Sequence, residues 1–130
     1  MHNLLKKSQR NYDSAIILNK EEKYCTVPHC AYYSCYQLMI FIWGNDGTNY
    51  FGENSHNKFI NEFAKEIQRK SHKKSQIFSN EMRKLKIKRA QADYSKNEIQ
   101  EGESSFCIKT ANKILNILDT TFKNIIDESK

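Results

Sequence analysis

Three of the chain's four glycines fall within one stretch, GNDGTNYFGEN (44–54), and its one proline is Pro28. A chain of 130 residues so poor in turn formers is restricted to few, long elements. The spacing of its apolar residues says which kind. In VPHCAYYSCYQLMIFIW (27–43), Ala31, Tyr32, Cys35, Tyr36, Met39, Ile40 and Trp43 recur at helical intervals. Tyr33, Leu38 and Ile42 widen that stripe until most of the surface is apolar, which predicts a central helix.

The other segments read as helices packed around it. Leu4, Leu5, Tyr12, Ala15, Ile16 and Leu18 mark a first helix over 3–19. KEEKYCT connects it to the second, with Thr26 as the expected N-cap and Pro28 in the first turn, where a missing N–H costs nothing. Ser55 is placed to cap a third helix with Phe59, Ile60, Phe63 and Ile67 inward. RKSHKKSQ reads as a polar break or bend, followed by a fourth helix over about 77–92 carrying Phe78, Met82 and Leu85. SKNE (95–98) fits a capping box that starts a last helix running to Asp127. Its inner stripe is Cys107, Ala111, Ile114, Leu115, Leu118, Phe122 and Ile126. No run alternates like a strand, and no repeat or low-complexity segment appears. The expectation is an all-α fold: one domain over 1–130, an antiparallel bundle of four to five helices.

Several function classes drop out. The longest near-apolar stretch, Ala31 to Trp43, is too short to span a bilayer. MHNLLKKSQRN lacks a signal-peptide core. A cytoplasmic protein with no membrane partner is expected. Cys25, Cys30, Cys35 and Cys107 lack paired-ligand spacing, so no metal site is expected, and the last three read as small buried hydrophobes in a reducing compartment. There is no glycine-rich phosphate loop, and no cofactor is expected.

Charge is more informative. Between positions 65 and 89 stand ten basic residues (Lys65, Arg69, Lys70, Lys73, Lys74, Arg83, Lys84, Lys86, Lys88 and Arg89). Only Glu66 and Glu81 oppose them, a local +8 in a chain of net charge +6. Such an excess attracts phosphate backbones or an acidic partner; otherwise it is a solvated helical face. Lys73, Lys74, Arg83, Lys84, Lys86, Lys88 and Arg89 are the candidate nucleic-acid contacts. Three further patterns carry side chains with chemistry: HCAYYSCYQLM with His29, Tyr32, Tyr33 and Tyr36, SHNKFINEF with His56, and KRAQADY with Arg89, Asp93 and Tyr94. Arg89 and Asp93 are four apart on one helical face and are expected to pair. The tyrosines of the second helix read first as core, and His56 as a helix-start residue.

Three ordered segments resemble a HEPN domain, a small helical fold of prokaryotic toxin–antitoxin and defence proteins. They are SAIILNKEEKYCTVPHCAYYSCYQLM, SHNKFINEFAKEI and KRAQADYSKNEIQEGESSFCIKTANKILNIL, together spanning about Ser14 to Leu118. The resemblance implies a helical bundle that is usually dimeric. In many of its members, an arginine and a histidine four to six residues apart cleave RNA without metal. Here the position five after Arg89 is Tyr94, and no histidine follows His72. A phenol is protonated at neutral pH but still donates a hydrogen bond or stacks on a base. The resemblance therefore points first to a homodimeric module that binds RNA or a nucleotide. Arg89, Tyr94, Asp93 and His56 are its candidate site residues. One alternative is a metal-independent ribonuclease toxin in which His56 or His29 supplies the proton carrier. The other is a protein partner of a minimal nucleotidyltransferase, with Tyr94 as a modification target.

Overall fold

A computed structural model of the chain describes residues 3–44 and 55–129. The polypeptide forms α1 (Asn3–Lys20), a 3-10 turn (Tyr24–Thr26), α2 (Val27–Trp43), α3 (Ser55–Lys70), α4 (His72–Tyr94), α5 (Glu101–Thr121) and the short α6 (Lys123–Asp127). No strand occurs among the described residues. The side chain of Ser55, and with it the cap expected there, lies outside the described residues, as does 45–54 of the glycine-rich stretch.

Cross-helix pairs give the directions. Asn57 meets Lys86 and Ala64 meets Ser75, so α3 and α4 are antiparallel. Lys88 meets Glu103 and Lys74 meets Thr120, so α4 and α5 are antiparallel too. α2 and α3 run in the same direction, with Tyr36 against His56 at one end and Trp43 against Phe63 at the other. α2 is central, packing on α1, α4 and α5. Most of its apolar side chains are buried within the chain, and Tyr33, Phe41 and Trp43 are half-buried. Val27, Ala31, Tyr32, Cys35, Met39, Phe59, Phe63, Phe78, Met82, Ile114 and Leu118 are essentially solvent-free. Each large side chain among them contributes roughly 1.5–3 kcal/mol of burial. Cys30, Cys35 and Cys107 are buried as expected, and Cys25 is exposed.

Three local expectations need correction, and a fourth, the break in RKSHKKSQ, narrows to one residue. Thr26 makes no capping bond through its side chain; its backbone is already helical, and the 3-10 turn leads straight into α2. RKSHKKSQ is helical except at Ser71, which is extended and accepts a hydrogen bond from the Lys74 N–H (3.2 Å) as the N-cap of α4. That segment contains no glycine or proline, so a single capping residue suffices to turn the chain, and the Ser75 hydroxyl donates to the Ala64 carbonyl (2.7 Å) across the corner. SKNE does not start α5. The Ser95 hydroxyl accepts from the Asn97 N–H in a local turn, Ile99 is buried, and Glu103 reaches back to the Gln100 N–H (3.4 Å). Finally, the last helix is interrupted at Phe122, whose ring turns inward against Phe63 (5.5 Å) before α6 begins.

Just after α1 stands the one left-handed non-glycine residue among the described residues, Glu22 (φ 63°). The Lys23 N–H bonds the Leu18 carbonyl (2.8 Å) and the Glu22 N–H the Asn19 carbonyl (3.2 Å), a Schellman closure that ordinarily takes glycine.

Candidate functional site

At one end of the bundle the inward stripes of three helices change from apolar to polar in the same layer. On α4, Phe78, Met82 and Leu85 are followed at helical spacing by Arg89. On α3, Ile67, Phe63 and Phe59 lead back to His56. On α2 the same layer holds Tyr32 and Tyr36, both buried, with half-buried Tyr33 beside them. The antiparallel run of α3 and α4 brings the start of one to the end of the other.

Arg89 inserts its guanidinium among these rings. Its carbon lies 5.1 Å from the centre of Tyr32 and 5.2 Å from that of Tyr33. Nε faces the Asp93 carboxylate at 3.6 Å, confirming the expected pair, but that distance is too long for a hydrogen bond. Nε is thus buried without a hydrogen-bond acceptor among the described residues, while the Arg89 side chain as a whole stays 21% exposed. The cation is aimed by aromatic faces and one carboxylate, and it keeps an opening to solvent.

His56 meets the other edge of Tyr32. The phenol oxygen and Nδ1 are 2.8 Å apart. When Nδ1 carries the proton it donates to the phenol and leaves Nε2 as a base; in the other tautomer the phenol donates and Nε2 carries the proton. The imidazole also stacks on Tyr36, ring centres 4.2 Å apart. Burial lowers the His56 pKa, and the Arg89 and Lys86 charges lower it further, so the ring is neutral at pH 7. Burial raises the Tyr32 pKa well above the phenol range, with Arg89 opposing, and lifts Tyr36 to about 12. The Tyr36 hydroxyl is buried and has no hydrogen-bond partner among the described residues. Lys86, one turn before Arg89, donates to the side-chain oxygen of Asn57; burial, then Arg89, lowers its pKa. Two cations therefore share a partly buried pocket with one nearby carboxylate, an arrangement that favours an anion.

The remaining candidates fall in different places. Tyr94 is 82% exposed at the last residue of α4 and enters none of the ring contacts of this cluster. His29 is exposed and packs at a tilt against Tyr33 (4.7 Å) at the outer rim. The basic run divides between two faces of α4. Lys74, Lys84 and Lys88 lie toward α5: Lys74 donates to the Thr120 hydroxyl (3.3 Å), Lys84 pairs with Glu81 (3.6 Å) and Lys88 with Glu103 (3.1 Å). Arg83, Lys86 and Arg89 lie toward α3 and α2. Lys73 is exposed near the start of the helix. Among the described residues, no three His, Cys, Asp or Glu side chains are grouped to hold a metal, and no helix is long and apolar enough to cross a membrane.

Asn57 is the site member that the residue pattern did not single out, and Tyr32, read first as core, is both buried and part of the site. The signal for the site was the stripe itself: an apolar row that ends on arginine in one helix and on histidine in another places both charges at the edge of the core. In comparisons with family models, curated proteins and solved structures, nothing matches this chain.

Proposed function

We propose that the Arg89 end of the bundle binds RNA through its phosphates, in a HEPN-like component of a prokaryotic toxin–antitoxin or defence system. One observation carries the reading. The Arg89 guanidinium lies against both Tyr32 and Tyr33 with part of its side chain open to solvent, beside Lys86 and a neutral His56. Arginine presents several donors in a rigid fork that suits phosphate, and the aromatic contacts orient that fork in advance. Binding should show a steep salt dependence, because each neutralised phosphate releases counterions. Filter binding of a short single-stranded RNA across a salt series tests this; an affinity that ignores salt counts against phosphate recognition.

A second reading, cleavage without metal, draws support from the meeting of His56 and Arg89 on Tyr32. A neutral imidazole next to a bound phosphate can accept the proton of the 2′-hydroxyl as it attacks phosphorus; the P–O5′ bond breaks, the 5′-oxygen leaves with a proton from water, a 2′,3′-cyclic phosphate remains, and Arg89 stabilises the developing charge. Incubation of labelled RNA with the wild-type chain and with His56→Gln separates the two readings. Loss of full-length RNA that requires His56 supports cleavage, and intact RNA with retained binding supports recognition alone.

A further inference from the structure

Lys86 connects the Arg89 site to a groove between α3 and α4 with a volume of about 300 Å³. Asn61 from α3 and Asn80 from α4 stand on its two walls. Half-buried Ile60 gives it an apolar floor, and Arg83 lies beside Lys86 at its cationic side. Asn57 is already engaged by Lys86. Asn61 and Asn80 make no side-chain hydrogen bond among the described residues, and both are exposed. Arg83, Lys86 and Arg89 rise along α4 in steps of three residues, about 4.5 Å of helix axis each.

We propose that this groove is a base-reading subsite for the nucleotide next to the phosphate held at Arg89, with adenine as its preferred base. The inference rests on the RNA-binding reading above and adds what that site selects. An apolar floor receives the face of a planar base, and side-chain amides on the walls meet its edge. A carboxamide offers one acceptor and two donors, and asparagine matches the N6 and N7 edge of adenine with two hydrogen bonds. Arg83 and Lys86 neutralise the phosphates that flank the base. Only an unpaired base can present both its face and its edge to a groove of this size, so the ligand is single-stranded.

Fluorescence anisotropy with single-stranded decamers of A, C and U tests the assignment on the intact chain. Wild type is expected to bind the A decamer about ten-fold tighter than the U decamer, within the range of one bidentate base contact. Asn61→Leu, Asn80→Leu or the double variant is expected to bring A down to the level of U while leaving U unchanged. Arg89→Met is expected to weaken all three alike. The subsite is refuted, with RNA binding intact, if wild type shows no preference for A or if the double variant keeps it. It is equally refuted if the asparagine variants weaken U as much as A, because the amides then serve the backbone. If wild type binds none of the decamers, the RNA-binding reading fails first and the subsite with it.

Discussion

Replacing Arg89 with methionine separates a binding role from a structural one. The contacts with two tyrosine rings contribute about 0.5–2 kcal/mol for a partly desolvated cation. The Asp93 pair, with side chains 21% and 31% exposed, adds about 0.3–0.5 kcal/mol. Against these stands the buried Nε without an acceptor, a cost of about 1–3 kcal/mol. Methionine keeps a flexible apolar stem against Tyr32 and Tyr33 and removes that cost. The opposing contributions nearly cancel, so stability should change by less than about 1 kcal/mol, a shift in Tm of about 4 °C for a domain of this size. RNA affinity should respond far more. A charged hydrogen bond to phosphate is worth about 1.5–3 kcal/mol, roughly a 10- to 150-fold loss in Kd. Thermal denaturation and anisotropy on the same preparation measure both quantities. If Arg89→Met unfolds the chain while Arg89→Lys does not, the arginine is a structural keystone and the binding argument fails. If RNA affinity is unchanged in a folded variant, the phosphate is bound elsewhere.

The His56 pKa lies below its ordinary 6.5, so the unfolded chain takes up a proton before the folded one. Stability is therefore full above pH 6.5 and declines as pH falls through the lowered value; urea titrations from pH 7.5 to 5 should show this decline shrink in His56→Gln. Tyr32→Phe removes the phenol that bonds Nδ1 and should cost about 1 kcal/mol, with an altered His56 titration by NMR as the specific readout. Ser71→Ala deletes the cap of α4 and should lower stability by about 1 kcal/mol in chemical denaturation, whereas Ser71→Asp should not. Glu22→Gly relieves the left-handed residue after α1 and should stabilise by up to about 1 kcal/mol, visible as a higher Tm; an unchanged or lower Tm contradicts the strain assigned there.

What local chemistry governs was legible from the residues. α2 spans 27–43 as its apolar spacing predicts, and the stripes of α3, α4 and α5 bury the side chains they point inward. The Arg89–Asp93 pair lies within a single helix and needs only the helical repeat to be expected. Errors fell where several residues compete for the same local role. Both Ser95 and Gln100 stand three positions before a glutamate, and the choice between them was made by burial of Ile99 and by the salt bridge from Lys88 to Glu103. Both belong to packing against other helices.

Periodicity alone established that this chain is a helical bundle with a basic fourth helix, because each helix reports its own buried face. It also placed Arg89 and His56 at the ends of apolar rows. Only the tertiary structure decided that those two ends are the same end. The distance between residues 56 and 89 depends on the hairpin closed at Ser71, and their shared contact depends on Tyr32 from a third helix. The same packing left Tyr94 outside the cluster and divided the lysines of α4 between two faces. Contacts between helices depend on the path of the chain between them, which a repeat confined to one helix does not encode.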